Sequence, residues 1–138
     1  MKGPFNPRDY RVLVVDDEPS VLFTYRLILE QEGYQTSAVA SAREALQKLQ
    51  TEQFDIVLCD YSLEEKHTGL EVIELARRKN RAMPCILLTG YANQETVQIA
   101  EKAGVGVLFK PIDIEEFLAA IPAKLRESNE HQAAAKSR

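Results

Sequence analysis

Residues 12–18 read Val-Leu-Val-Val-Asp-Asp-Glu, a short apolar run that ends in three acidic side chains. A β-branched run of this length, bounded by charged residues, is typical of a strand buried on both faces of a sheet. From Pro19 the apolar residues recur at helical spacing, and Gly33 ends that helix. The segment therefore predicts a buried strand followed by a helix, which is the basic unit of an α/β fold.

The same strand–helix unit recurs along the rest of the chain. Further apolar strands are predicted at 34–40, 54–59, 85–88 and 105–109, each followed by residues at helical spacing. Five such units predict a doubly wound, five-stranded parallel sheet with helices on both faces. Right-handed crossovers would place the loops after the strands along one edge, where open α/β sheets have their functional crevice.

The length suits one domain, expected at 10–125, with an N-terminal extension at 1–9 and a C-terminal tail or linker at 126–138. The last helix is expected to pack Ile114 inward, and Pro122 is expected to kink or fray it. The segment after that helix is polar and rich in alanine, without an apolar stripe. It is therefore expected to be a frayed end or a linker.

The charge and the apolar runs argue against several classes of protein. A net charge of −4 at pH 7 gives no sign of direct nucleic-acid binding. No apolar run reaches the length of a membrane span, and residues 1–10 lack the apolar core of a secretory signal. Cys59 and Cys85 stand in apolar segments and are expected to be small buried side chains. The cytoplasm is therefore the expected compartment.

The ends of the predicted strands carry the residues that suggest chemistry. Asp16 and Asp17 follow the first strand, Asp60 the third, Thr89 the fourth and Lys110 the fifth. If these ends share one edge, the clustered carboxylates would repel one another unless a cation lies among them. Magnesium suits a few carboxylates and a phosphate oxygen, while a lysine and a hydroxyl can hold a phosphoryl group. The pattern predicts transfer of a phosphoryl group onto a carboxylate.

Four motifs at these strand ends resemble the response-regulator receiver family of two-component signalling, including its chemotaxis-regulator-like members. They are Val-Leu-Val-Val-Asp-Asp-Glu at 12–18, Asp-Ile-Val-Leu-Cys-Asp at 55–60, Leu-Leu-Thr-Gly at 87–90 and Leu-Phe-Lys-Pro at 108–111. All four occur in the family's order, and the resemblance covers nearly all of residues 10–125. It implies a flavodoxin-like receiver fold with the strand order 2-1-3-4-5.

The resemblance also implies an acceptor and a metal site. Asp60 would be the nucleophile that takes a phosphoryl group from a phospho-histidine of a sensor histidine kinase or a phosphotransfer protein. Mg²⁺ would be the cofactor, bound directly by Asp17 and Asp60 and mainly through water by Asp16. The backbone carbonyl of Ser62 would supply another ligand.

The resemblance further implies a switch. Thr89 and Lys110 would hold the phosphoryl oxygens, and the Lys110–Pro111 peptide bond would be cis. The chain would be a signalling switch and not an enzyme, assisting only its own phosphoryl transfer and dephosphorylation. Its output partner would be a downstream effector protein or an appended domain, and homodimers are common in the family.

The loop after Asp60 departs from the family pattern. Members usually carry Met-Pro three and four residues after the acceptor and a glycine about eight after it. Here those positions hold Leu63 and Glu64, and Gly69 comes one residue later. The loop at 61–68 is therefore longer and lacks the stiffening proline, which affects its conformation and its partner contacts but not Asp60.

A second departure concerns switching. The family usually carries an aromatic residue three positions before the lysine, where this chain has Val107. Valine cannot make the same rotamer swing, and Phe109 is not expected to replace it, so coupling to the fourth helix would be altered or weaker. We hypothesise that Tyr91, two residues after Thr89, shields the phosphoryl site and tunes its lifetime; a surface tyrosine in a loop is an equally good explanation.

Two alternative classes remain open. A pseudo-receiver would bind partners without phosphorylation; Val107 and the unusual loop favour it, whereas the complete acidic, threonine and lysine positions do not. An enzyme on a similar fold is less consistent with the residues. A flavin-binding loop would be rich in glycine and hydroxyls, and the acidic pair after the first strand would repel its phosphate. A haloacid-dehalogenase-type phosphatase would need Asp-x-Asp, where this chain has Asp60-Tyr61-Ser62.

Overall fold

The computed structural model describes residues 4–63, 67–90 and 94–136, with side chains up to residue 127. Strands and helices alternate along these residues after one turn of 3₁₀ helix at Pro7–Asp9. The strands are β1 Arg11–Val15, β2 Gln35–Val39, β3 Ile56–Asp60, β4 Cys85–Thr89 and β5 Gly106–Phe109. The helices are α1 Pro19–Glu32, α2 Ala42–Thr51, α3 Gly69–Lys79, α4 Gln94–Lys102 and α5 Ile114–Lys136.

The strands form one parallel sheet in the order β2-β1-β3-β4-β5. This confirms the predicted doubly wound α/β fold and its strand order. The side chains of β1 show how the sheet divides the core, because successive residues of a strand point to opposite faces. Val12 and Val14 pack with α1 and α5 on one face, while Leu13 and Val15 pack with α2 and α3 on the other.

Local signals in the sequence determine where the first helices begin and end. α1 ends where Gly33 adopts a φ of 113°, a left-handed conformation that favours glycine. α2 begins at a cap in which the Ser41 hydroxyl accepts a hydrogen bond from the Glu44 backbone N–H at 3.1 Å. Both helix boundaries agree with the sequence pattern.

The last helix differs from the expectation. α5 continues past Pro122 to Lys136, so the polar segment that follows residue 126 is helical and not a frayed end. Alanine-rich sequence is locally favourable for a helix, and an extension of a helix that is already packed needs no apolar stripe. Ile114 is 55% exposed in the first turn and does not pack inward.

None of the helices in the described residues is both long and apolar enough to cross a membrane. The division of the chain near residue 125 stays a prediction.

The segment before β1 packs against the amino ends of the strands. Phe5 stacks on Tyr10 with ring centroids 4.9 Å apart and meets Tyr34 edge-on at 6.4 Å. The Gln35 side-chain amide donates a hydrogen bond to the Arg8 carbonyl at 3.1 Å. Ring contacts and a hydrogen bond therefore join this segment to the start of β2.

Candidate functional site

The carboxyl ends of β1 and β3 bring three carboxylates together. These strands pair in parallel, with Val15 opposite Cys59, so the residues at their ends lie side by side. Ligand oxygens of Asp16, Asp17 and Asp60 all lie within 4.8 Å of one another. The acids that the sequence assigned to separate strand ends therefore form one cluster.

The end of β5 adds a lysine to this cluster. β5 pairs with β4, and the Lys110 backbone N–H donates a hydrogen bond to the Thr89 carbonyl at 2.8 Å. The Lys110 ammonium lies 2.8 Å from Asp60 Oδ1 and 3.6 Å from Asp16 Oδ2. The peptide bond between Lys110 and Pro111 is cis. A close ion pair between Lys110 and Asp60 thus spans the carboxyl edge of the sheet.

Asp16 and Asp17 are neighbours in sequence but differ in burial. Asp17 is exposed, whereas Asp16 is only 1% exposed. Asp16 Oδ1 accepts a hydrogen bond from the Glu18 backbone N–H at 2.9 Å. Asp16 Oδ2 is buried and has no hydrogen-bond partner among the described residues. A buried carboxylate oxygen without a partner is costly, so this atom suits a ligand that brings positive charge or a donor.

Three carboxylates and one lysine leave a net negative charge among the described residues of this edge, and burial makes the charge on Asp60 costly. Burial raises the pKa of Asp60, and the charges of Asp16 and Asp17 raise it further. The hydrogen bond and charge of Lys110 lower this pKa but do not cancel those effects, so it stays above its ordinary value. Burial lowers the pKa of Lys110, but its hydrogen bond to Asp60 and the nearby carboxylates outweigh burial and raise it overall. A second cation would offset the remaining negative charge.

The oxygen donors at this edge fit magnesium. Mg²⁺ prefers oxygen ligands and is usually held by a few carboxylates and several waters. An antiparallel bridge between Ser62 and Thr68 closes the loop after β3. The two hydrogen bonds of this bridge join the residues that flank the pair, so the bridge does not use the Ser62 carbonyl. That carbonyl and the three carboxylates are the residues that could hold the ion. Glu64, the second of the two loop positions that depart from the family's Met-Pro pair, lies outside the described part of the chain.

Gly69 has a role at the site that its sequence position did not reveal. It is buried as the first residue of α3, against the backbone of Asp60. A Cβ atom at this position would lie 2.8 Å from Leu87 Cδ1, 3.1 Å from the Asp60 carbonyl carbon and closer still to the carbonyl oxygen. Only glycine allows α3 to approach the acid of β3 this closely. A glycine at the start of a helix, soon after an acidic strand end, is the signal that could have indicated this approach.

The sequence matches a known protein family, because the family model of the response regulator receiver domain covers residues 12–122. This chain belongs to that family. The transcriptional regulatory protein ZraR of Escherichia coli K12 is 31% identical over 119 residues, which are 86% of this chain and 27% of ZraR. The alginate biosynthesis transcriptional regulatory protein AlgB of Pseudomonas aeruginosa is 34% identical over 116 residues, 83% of this chain and 26% of AlgB. The receiver therefore spans about a quarter of the length of these curated relatives.

Solved structures agree with this assignment. A response regulator receiver domain protein (CheY-like) from Methanospirillum hungatei JF-1 is 34% identical and superposes with a TM-score of 0.81. The match covers 88% of this chain and 98% of that chain. NtrX from Brucella abortus, 24% identical with a TM-score of 0.83 over 94% of this chain and 30% of its own, supports the fold alone.

Of the other residues that the sequence singled out, Thr89 lies at the same edge and Val107 lies within β5. Thr89 ends β4 and is 2% exposed. Val107 is half-buried and packs against the core on the α2 and α3 face of the sheet. Phe109 is 47% exposed, so it does not fill the core position of an aromatic switch residue. Tyr91 lies outside the described residues, and its shielding role stays a hypothesis.

Proposed function

We propose that this receiver domain is the phosphoacceptor of a two-component phosphorelay, and that Asp60 takes the phosphoryl group. The observation that carries the proposal is the 2.8 Å contact of Lys110 Nζ with Asp60 Oδ1, beside the clustered oxygens of Asp16 and Asp17. A nucleophilic carboxylate, a cation for the phosphoryl oxygens and acids for a metal ion are the groups that this transfer needs.

In the proposed reaction, an oxygen of the Asp60 carboxylate attacks the phosphorus of a phospho-histidine on a sensor histidine kinase or a phosphotransfer protein. A P–O bond to Asp60 forms as the P–N bond breaks, and the imidazole nitrogen keeps the electron pair of the broken bond. The Lys110 ammonium and the Thr89 hydroxyl would hold the phosphoryl oxygens, so the transfer depends mainly on positioning and charge. The domain would assist only its own phosphorylation and dephosphorylation, as a switch does.

Magnesium is the cofactor that we propose for this site. Asp17, Asp60 and the Ser62 carbonyl would bind it directly, and Asp16 mainly through water. The ion would neutralise part of the negative charge on the carboxylates and the incoming phosphoryl group. The buried oxygen of Asp16 that has no hydrogen-bond partner in the described part of the chain supports this proposal.

The output of the switch would be a changed surface for a downstream effector protein or an appended domain. Because Val107 replaces the usual aromatic residue, coupling from the phosphoryl site to α4 would be altered or weaker. We expect no direct contact of residues 10–125 with nucleic acid or membrane, and we expect the domain to act in the cytoplasm, as a monomer or a homodimer.

The test is the intact mass of the protein after incubation with Mg²⁺ and acetyl phosphate. The expected result is a hydroxylamine-labile phosphoryl adduct on the wild type that is missing from Asp60→Asn. Asp55→Asn is the matched control, because Asp55 lies at the opposite end of β3, where it accepts a hydrogen bond from the Arg11 N–H at 2.7 Å. If the wild type forms no adduct and also fails to bind beryllofluoride with Mg²⁺, a pseudo-receiver that binds partners without phosphorylation is the better explanation.

A further inference from the structure

Arg77, in the last turn of α3, joins that helix to the C-terminal end of α4. Its guanidinium donates hydrogen bonds to the carbonyl of Ala103 and, at 3.4 Å, to the carbonyl of Gly104. Its Nε donates a further bond to the carbonyl of Met83 at 3.3 Å, two residues before β4. The proposed function assigns no role to this side chain.

The carbonyls that Arg77 binds at α4 are groups that the end of a helix leaves without helical partners. The Gly104 N–H donates to the Glu101 carbonyl at 3.0 Å. The Val105 N–H donates to the Ala100 carbonyl at 2.8 Å. This pattern is a Schellman motif, which satisfies carbonyls of the last turn but not those that follow it. The guanidinium supplies donors to two of the latter from one planar fork.

α3 and α4 differ in how firmly packing holds them. α3 buries four of its eleven residues, among them Val72 and Ala76. α4 buries only Thr96 and Ala100 of its nine residues. Burial of apolar surface is the main force that holds an amphipathic helix on a sheet, so α4 is held less firmly than α3. Arg77 therefore joins a weakly packed helix to a firmly packed one.

The two ends of α4 lie toward opposite edges of the sheet. The N-terminal end follows β4 and Thr89, on the side of the acceptor site, and the C-terminal end precedes β5. Arg77 thus acts at the end of α4 that is remote from Asp60. A helix that is anchored at one end can tilt about that end, as the elements of a hinge do.

We propose that Arg77 anchors the C-terminal end of α4 and makes it the fixed end about which this helix moves when the acceptor site is filled. The hydrogen bonds to Ala103 and Gly104 hold this end on α3, so the N-terminal end beside Thr89 takes up the movement. Arg77 is a positioning residue for α4. The inference rests on the proposed function for the event that moves the helix, whereas the anchor itself does not depend on it.

The first experiment measures amide hydrogen exchange by NMR in the wild type, Arg77→Met and the matched control Arg78→Met. Methionine keeps an apolar stem and removes every donor, and Arg78 is exposed and lies 3.2 Å from Glu74. Arg77→Met should exchange the amides of residues 103–105 about tenfold faster, whereas Arg78→Met should stay within about twofold of the wild type. No increase at 103–105, or an equal increase throughout the strands, would overturn the inference.

A second variant, Arg77→Lys, separates the hydrogen bonds from the charge. A positive charge near the end of a helix is favourable by itself, and lysine keeps that charge but lacks the planar fork. If the hydrogen bonds form the anchor, residues 103–105 should exchange about threefold faster or more in Arg77→Lys. Wild-type exchange in this variant would show that the charge is sufficient and would overturn the inference.

The third experiment repeats the exchange measurement with beryllofluoride and Mg²⁺ bound. In the wild type, the amides of residues 98–100, which bond to the first turn of α4, should change their exchange by about threefold or more, and those of 103–105 should not. In Arg77→Met the change should extend to 103–105. A change of equal size at both ends of α4 in the wild type, or no extension in Arg77→Met, would overturn the inference.

These experiments distinguish a failure of the anchor from a failure of the proposed function. If the wild type does not bind beryllofluoride, the proposed function is wrong. The exchange of Arg77→Met and Arg77→Lys without beryllofluoride still decides whether Arg77 anchors α4.

Discussion

The two ends of the sheet differ in how they place charge. At the amino ends of the strands, acids and bases are paired, whereas at the carboxyl ends three acids share one lysine among the described residues. Both ends belong to the same five strands, so the fold alone does not explain the difference. The comparison indicates that charge is paired at one end of the sheet and left in excess at the other, which is the end where we propose the magnesium and phosphoryl site.

The amino end is held by complementary contacts. The Arg11 N–H donates to Asp55 Oδ2 at 2.7 Å, and the Arg11 guanidinium lies 3.2 Å from Glu52. Lys48 lies 2.8 Å from Glu52, and its hydrogen bond is the main reason that the pKa of Glu52 is lowered. A lowered pKa means that the folded protein favours the ionised carboxylate. Each exposed pair contributes little, but all of them act in the direction of folding.

The carboxyl end keeps charge that opposes folding. Asp16 Oδ2 is buried without a hydrogen-bond partner in the part of the chain that the structure describes, and the pKa of Asp60 is raised by burial and by its acidic neighbours. A raised carboxyl pKa means that the folded protein disfavours the ionised form. A cation that binds only the folded chain would offset this cost and stabilise the fold.

The largest effect is expected where the backbone packs most closely against the acceptor strand. Gly69→Ala would place a Cβ atom 2.8 Å from Leu87 Cδ1 and in overlap with the Asp60 carbonyl. We expect urea denaturation to show a loss of about 3 kcal/mol in the free energy of unfolding. Gly90→Ala is the control at the same end of the sheet, because its Cβ would lie no closer than 3.8 Å to Lys110. Similar losses of unfolding free energy in both variants would show that the close approach at Gly69 does not cause the loss.

Magnesium should stabilise the protein through the carboxyl end alone. At one hundred times its dissociation constant, Mg²⁺ should raise the free energy of unfolding by about 2.7 kcal/mol. Asp17→Asn should remove most of this increase, whereas Asp55→Asn, an acid changed at the amino end, should keep it. Thermal unfolding with Mg²⁺ and with a chelator measures the stabilisation by Mg²⁺ in each of the two variants. The distinction between the two ends fails if Asp55→Asn reduces the increase as much as Asp17→Asn does.

The smallest effect is expected from the aromatic contacts at the amino end. Phe5→Ala removes the stack on Tyr10 and the edge contact with Tyr34, and should cost about 1 kcal/mol of unfolding free energy in urea. Phe23→Ala is the control on α1, because Phe23 is 65% exposed and little should be lost. Beryllofluoride affinity should be unchanged in Phe5→Ala; a weaker affinity would mean that the two ends are coupled.

Much of the acceptor site could be predicted from the sequence. The alternation of strands and helices determines the sheet, and parallel pairing then brings the ends of β1, β3 and β5 to one edge. That placement predicts Asp60 and Lys110 at the same edge, whereas their 2.8 Å contact also depends on the order of the strands. The order of the strands and the cis peptide before Pro111 were accessible only through the family resemblance.

Other features depend on packing that the sequence does not display. Asp16 and Asp17 are chemically equivalent in the sequence, and only the turn into α1 buries one and exposes the other. Tyr25 fits the apolar stripe of α1 like any core residue, and its stack on Phe117 depends on where α5 lies. The segment after residue 126 has no apolar stripe, so local helix propensity was the only signal for its helix.

The uncompensated negative charge at the carboxyl end has a defined pH dependence. Burial, with the neighbouring acids, raises the pKa of Asp60 in the folded protein in spite of Lys110. Below about pH 4 the carboxyl is protonated in both the folded and the unfolded chain, so its ionisation costs nothing. Above the raised pKa the carboxylate is ionised in both states, and the folded protein bears the full cost. Replacing Asp60 by a neutral residue should therefore stabilise the fold at neutral pH only.

The stability of Asp60→Asn without magnesium tests this claim most directly. In thermal unfolding with a chelator at about pH 7, we predict a melting temperature roughly 2–5 °C above that of the wild type, and no difference near about pH 3. A wild type that is as stable as Asp60→Asn, or more stable, at neutral pH would contradict the claim. Lys110 alone would then balance the acids, and the carboxyl end would be as well paired as the amino end.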